Sequence, residues 1–191
     1  MCSTTLNSMI KLLKVVDGIE YYQIGEQGLE KIMEIEEKYF PPELRASKQI
    51  MRERIRFFPE GTFLATKNGE PMGYFINLLV DDSFVENLEM HLTHSPILPV
   101  PLQKGTNLWH ASIGITSKAH HISRELILCT EDIIKKHKVT RQVAVLETDD
   151  GDKLTRKIGF RTIKTVETTA GTAKIKVRSP EGFFELVRKA L

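Results

Sequence analysis

An α/β (α+β) fold built on a mixed, mostly antiparallel sheet is predicted by three observations. Thr62 to Thr66 and Pro71 to Val80 read as apolar strands, and Lys67-Asn68-Gly69-Glu70 between them carries the Asn-Gly pair that supplies positive φ in a tight hairpin. From Leu108 to His137 the apolar period changes. Leu108 to Thr116 is charge-free apart from His110 and β-prone, whereas Ala119, Ile122, Leu126, Cys129 and Ile133 recur at helical spacing. Phe160 to Val166 and Thr172 to Val177 flank Thr169-Ala170-Gly171 as a closing hairpin.

The remaining elements follow in chain order. Leu6 to Val16 reads as a short helix or an unpaired arm, and Ile19 to Gly25 as a first strand. Glu26 to Tyr39 sets Leu29, Ile32, Met33 and Ile35 against an acidic face and reads as a helix. Phe40-Pro41-Pro42 ends it, because proline lacks the amide donor and pushes its predecessor out of the helical region. Ser47 caps a second helix, Lys48 to Phe58, which Pro59-Glu60-Gly61 stops. Ser83 to Leu92 is a helix capped by Asp82 or Ser83. His94 to Thr106, with three prolines, is a long loop of the kind that tends to be functional. Gln142 to Leu146 is a buried strand, and Asp149 to Lys157 a short helix ended by Gly159. Ser179-Pro180-Glu181 opens a last helix to Leu191, with serine as cap and proline in the first turn. The domain reading is residues 1–18 as arm or helix, 19–178 as the main domain, and 179–191 as a helix packed on it.

At 191 residues with 41% hydrophobic content, the chain can bury a real core. A net charge of +2 gives no electrostatic case for nucleic acid. No apolar run reaches the ~20 residues of a membrane span, and Lys11 and Lys14 interrupt the N-terminal apolar stretch, so no signal peptide is read. Two cysteines, Cys2 and Cys129, cannot frame a disulfide scaffold, which suits a cytoplasmic location.

The order β-α-α-β-β-(α)-β-α-β-α-β-β-α resembles the GNAT superfamily of acyl-CoA-dependent N-acyltransferases. Three stretches carry the resemblance. Pro59 to Phe75 is similar to the family's second and third strands, Ala111 to Ile115 to its central strand, and Leu154 to Ile163 to its closing helix, Gly-Phe and strand. The acid-rich helix ending Tyr39-Phe40-Pro41 and the insertion with His94-Ser95-Pro96 look most like the arylalkylamine N-acetyltransferase branch. The similarity spans Glu20 to Val177.

This resemblance implies a sheet split at the central strand, with acyl-CoA in the split and an amine attacking the thioester directly. Acetyl-CoA is the implied co-substrate and a small-molecule or protein amine the implied acceptor, in a monomer or homodimer. Implied cofactor contacts are the backbone of Ile113, Gly114 and Ile115, then Lys118, Ala119, His121, Ser123 and Arg124 at the phosphate loop, and Thr148. The family's loop is glycine-rich because the backbone must approach pyrophosphate closely. Here His121 stands where a glycine is usual, which crowds the site. The central-strand positions that carry acid–base residues fall on Ala111 and Trp109, and neither titrates near neutrality.

Three residues are candidates for catalysis. His110 has the opposite strand parity and needs a bulge to face the cleft. Glu147 ends a strand beside the cleft. Thr155 stands where the family often has a tyrosine, and its hydroxyl is a weak acid. His91 and His94 have helix-face spacing but too few companions for a metal site. Lys135 to Lys138 reads as a solvated helix end or as help for a nucleotide 3′-phosphate. The uninterrupted apolar spacing after the central strand favours a helix starting early, capped by Ser117, over one starting near Ser123. The competing reading is a binding or scaffold module that keeps the fold without turnover; a weaker one is action on a carrier-bound acyl group.

Overall fold

In a computed structural model, which describes residues 10–95, 97–116 and 120–191, eight strands form one sheet in the order β1-β2-β3-β4-β5-β6-β8-β7. The strands are β1 Lys11–Val16, β2 Ile19–Gln23, β3 Thr62–Lys67, β4 Glu70–Val80, β5 Asn107–Ile115, β6 Arg141–Leu146, β7 Arg161–Thr168 and β8 Gly171–Arg178. All neighbours are antiparallel except β5 and β6. Helices α1 Leu29–Tyr39, α2 Lys48–Phe57, α3 Asp82–Glu86, α4 Leu88–His94, α5 His120–Leu128, α6 Glu131–Lys136, α7 Asp149–Lys157 and α8 Phe183–Ala190 cover it. The core is the set of buried aliphatic and aromatic side chains between sheet and helices, with Trp109, Tyr21, Tyr74 and Phe63 among its largest fully buried members.

Several local signals act as the sequence predicts. Asn68 and Gly69 both take positive φ (52° and 84°), which matches the right-handed twist of the β3–β4 hairpin. Ser47 Oγ accepts the Ile50 amide at 3.2 Å and starts α2. Phe40 is extended (φ −105°, ψ 138°), so α1 stops before the two prolines.

Others are corrected. Lys11–Val16 is neither helix nor unpaired arm; it pairs with β2 through a turn at Asp17 and Gly18, both of positive φ. The helix expected over Ser83 to Leu92 breaks at Asn87, whose side chain donates to the Ser83 carbonyl at 2.8 Å, and its cap is Asp81. The single helix expected through Ile133 divides into α5 and α6. Buried Thr130 turns its hydroxyl onto the Ile127 carbonyl at 2.8 Å, a local bond that competes with helix continuation. α8 begins at Phe183 after Gly182 in the left-handed region (φ 63°), not at Ser179. Arg178 draws the carbonyls of Ser179 and Glu181 to its guanidinium at 2.6 and 2.7 Å and holds that segment as a turn.

Candidate active site

The parallel pairing of β5 with β6 covers only Asn107–His110 against Arg141–Ala144. β5 continues to Ile115 against β4, and β6 continues to Leu146 against β8. The two strands therefore part, and the backbone of Ala111 to Ile115 has no ladder partner on its β6 side. Where they part, β5 carries a bulge. Ile76 faces Ser112 and Asn77 faces His110, so Ala111 is the extra residue. A cavity of ≈ 210 Å³ opens at the split. Ala111, Ser112 and Ile113 line it from β5; Val145, Leu146 and Glu147 line it from β6 and its end. Gly114 is needed here: a Cβ would come within 2.5 Å of the Tyr74 ring and 3.1 Å of Phe40.

The bulge brings His110 to the cavity wall, as the sequence requires for that residue to face the cleft. Its ring stacks on Phe75 at 5.2 Å and meets Phe160 edge-on at 5.7 Å. Asn77 Nδ2 donates to the Gly61 carbonyl at 3.1 Å, which turns Asn77 Oδ1 toward His110 Nδ1 at 2.6 Å and places the proton on Nδ1. The Gln142 side-chain amide lies 3.0 Å from Nε2. With its oxygen toward the ring, Gln142 Nε2 is buried without a partner. Turned over, the amide donates to Nε2 and satisfies the neutral ring. Burial pushes the His110 pKa down to about 4.

Glu147 is the contrasting group. It follows β6 at the open side of the split, its Oε1 is buried without a hydrogen-bond partner among the described residues, and burial alone pushes its carboxyl up. Thr155, on α7, also lines the cavity, but its hydroxyl is occupied. It donates toward the Gly151 and Asp152 carbonyls (2.9 and 3.1 Å) and accepts from Lys176 Nζ at 3.2 Å. Thr148 Oγ1 accepts the Gly151 amide at 3.2 Å and caps α7, so that side chain is engaged at the cavity rim.

At the other mouth, Lys118 and Ala119 lie outside the described residues, as does Ser117. α5 already includes His120 to Ser123, so the late start near Ser123 is not what the chain adopts. His121 is half-buried in the first turn and Ser123 is buried one turn inward. Arg124 pairs with Glu125 at 2.9 Å, and Glu125 also holds Lys14 of β1 at 2.7 Å. Lys136 and His137 both contact Glu60 (2.7 and 3.2 Å). His91 packs on Phe84, and His94 Nδ1 lies 2.7 Å from the Met90 carbonyl.

Phe40, Leu44, Ile97 and Leu98 close the far side of the cavity, from the segments after α1 and α4. Behind them, the buried Glu36 carboxylate receives the Tyr74 hydroxyl and the Ala46 amide, and Tyr74 Oη lies 2.6 Å from Ser112 Oγ. Burial pushes Glu36 up, and burial and Glu36 together push Tyr74 well up. Arg54 stands over the Trp109 ring at 5.1 Å. A sequence signal for both charges exists. Glu36 and Arg54 each fall at apolar-face spacing, with Leu29, Ile32 and Met33 in α1 and with Met51, Ile55 and Phe58 around α2.

Comparison with known proteins identifies the architecture. No family model and no curated protein matches the sequence. The fold, however, matches solved GNAT structures over nearly their whole length. The loading GNATL domain of CurA from Lyngbya majuscula aligns with TM-score 0.67 at 10% identity, covering 84% of this chain and 97% of that one. The GphF GNAT-like decarboxylase, solved with isobutyryl-CoA, gives 0.64 at 13%, covering 84% and 98%. Arabidopsis thaliana Naa50, solved with a bisubstrate analogue CoA-Ac-MVNAL, gives 0.62 at 15%, covering 85% and 99%. The chain thus has the GNAT fold. Among the described residues, no helix is long and apolar enough to cross a membrane.

Proposed function

We propose that this protein is an acyl-CoA-dependent N-acyltransferase that uses acetyl-CoA and a small primary amine. The observation that carries the reading is the interrupted β5–β6 ladder, which leaves a strand edge beside a cavity that also holds an unpartnered carboxylate. An extended amide-bearing chain such as pantetheine can complete the ladder by pairing with Ile113 to Ile115. That pairing carries the thioester toward the bulge at Ala111, where backbone N–H groups freed from the ladder can polarise the acyl carbonyl. Structures of the same fold solved with isobutyryl-CoA and with a CoA bisubstrate analogue support a CoA-type co-substrate.

In the reaction so placed, the amine nitrogen attacks the thioester carbon. The C–N bond forms, the C–S bond breaks, and the thiolate leaves. Glu147 accepts the proton lost by the amine, because it is the wall carboxylate with an unpartnered buried oxygen and a raised pKa. The proton then returns to the thiolate directly or through water. His110 and Thr155, both already hydrogen-bonded, shape the wall. The cavity is smaller than the roughly 300–1,000 Å³ usual for drug-sized ligands, which suits a small acceptor group.

A second reading, binding without turnover, is favoured by one observation: His121 lies within the first helical turn of α5, where a phosphate would approach. Titration of CoA and acetyl-CoA by calorimetry and melting temperature tests both. Specific binding stabilises by about 2.7 kcal/mol at a hundredfold excess over Kd. Binding with amine-dependent thiol release supports the enzyme. Weak or absent CoA binding, or binding without release for any amine, supports the second reading and removes the first.

A further inference from the structure

Arg54 is only 3% exposed and lines the cavity, yet no carboxylate lies within ion-pair distance of it among the described residues. Among the described residues, one of the five N–H donors of its guanidinium is used, Nη2 to the Leu98 carbonyl at 2.9 Å. Nε is buried without an acceptor. The Trp109 indole beneath it has the same deficit, with Nε1 buried and unpartnered. Glu36 is close enough to favour the Arg54 charge, but its oxygens are taken by Tyr74 and the Ala46 amide. Another buried pair behaves differently: Lys176 of β8 and Asp152 of α7 are paired at 2.5 Å. A desolvated guanidinium facing a cavity with spare donors is expensive unless an anion arrives with the ligand.

We infer that Arg54 is the docking point for a carboxylate on the acceptor, so the amine substrate is an amino acid with an apolar side chain. The inference rests on the acyltransferase reading and adds a substrate class to it. A planar carboxylate can take two guanidinium N–H bonds at once. Phe40, Leu44, Ile97 and Leu98 supply an apolar wall for the side chain. Arg54 comes from α2, whereas the edge offered to acyl-CoA is on β5, so the carboxylate is assigned to the acceptor and not to the acyl chain.

The test compares leucine, methionine and phenylalanine, each as the free amino acid, the carboxamide and the decarboxylated amine, on wild type, Arg54→Met and Arg54→Lys. Binding is read by calorimetry without acyl-CoA, and thiol release with acetyl-CoA and with succinyl-CoA. The expected result is that at least one free amino acid binds and is acetylated on the order of a hundredfold better than its carboxamide, and that Arg54→Met removes that preference by lowering use of the acid far more than use of the carboxamide. Arg54→Lys keeps the charge but loses the fork, and restores only part of the preference. Equal use of acid, amide and amine by the wild type overturns the inference while sparing the acyltransferase. A preference for succinyl-CoA that Arg54→Met abolishes also overturns it, by moving the carboxylate to the acyl group. Arg54-dependent amino-acid binding with no acyl-CoA binding upholds the carboxylate site and defeats the acyltransferase. The melting temperature of each variant shows whether it is folded, and a free amino acid that binds Arg54→Met as tightly as wild type ends the idea.

Discussion

Two carboxylates near the start of α7 live in opposite electrostatic surroundings. Asp152 is held by Lys176 at 2.5 Å, Arg156 at 2.6 Å and Lys174 at 3.0 Å, and these contacts hold its carboxyl well below the usual range, the Lys176 hydrogen bond foremost. Glu147, one turn earlier in the chain, has a buried oxygen with no partner and is pushed up. The buried cations repeat the contrast, with Lys176 ion-paired and Arg54 not. Where every charge has its partner, the network behind β8 holds the fold. Around the β5–β6 split, Glu147 and Arg54 lack such partners among the described residues and line the cavity.

The largest expected effect breaks the paired side. Asp152→Ala strands the fully buried Lys176, and the melting temperature should fall by on the order of 10 °C. The pH dependence carries the same sign. Because the folded pKa of Asp152 is depressed, its contribution is complete above the unfolded carboxylate range, near 4, and is lost as pH falls through the lower folded value. Acid melts of wild type should therefore steepen below about pH 4, and Asp152→Asn should flatten that limb. A wild-type Tm that stays level from pH 5 down to pH 2 would contradict this account.

The next effect breaks the unpaired side. Glu147→Gln should lower kcat by about a hundredfold, the lower range for a lost general base, with little change in acetyl-CoA affinity. In wild type, kcat should rise with pH through a value above the ordinary carboxylate range, since only the ionised form accepts a proton. Stability should move oppositely, because a raised folded pKa makes ionisation unfavourable to the fold as pH rises. A wild-type kcat independent of pH from 4 to 8 would remove Glu147 from the reaction.

A smaller effect concerns the other mouth, where added bulk instead of a missing partner is at issue. His121→Gly should strengthen CoA binding about fivefold by opening the first turn of α5, against a helix cost on the order of 1 kcal/mol. Calorimetry at fixed ionic strength decides it; unchanged or weaker affinity would show that His121 does not obstruct phosphate. The smallest effect sharpens the contrast between the cations. Arg54→Met removes a buried charge that had no ion pair, so the melting temperature should shift by no more than about 3 °C in either direction. A fall comparable with that of Asp152→Ala would mean that Glu36 already serves Arg54 as a structural partner.

The elements with strong local chemistry were legible in the sequence. Asn68-Gly69 specified its hairpin, the two prolines after Phe40 ended α1, and the parity of His110 called for a bulge that lies at the neighbouring Ala111. The resemblance anticipated the split of the sheet, and the walls at Ile113 and Glu147 lie on it. What was not legible depends on distant partners. β1 carries lysines at Lys11 and Lys14 and looks like an arm until β2 pairs with it and Glu125 takes Lys14. Asn87 and Thr130 break helices through side-chain bonds to carbonyls that apolar spacing cannot report. Glu36 and Arg54 were hidden among apolar residues on helices whose other members simply fill the core.

The parting of β5 from β6 bears on how the molecule behaves in a crowded solution. An unpaired strand edge ordinarily invites a strand from another chain and starts polymerisation. This one lies inside the sheet, with β4 on one side and the diverging β6 on the other, so no neighbouring molecule can lay a strand along it. The outer edges, β1 and β7, carry Lys11, Lys14, Arg161 and Lys164, charges that discourage such recruitment. The chain can thus keep an open ladder inside its sheet while its outer edges stay guarded by charge.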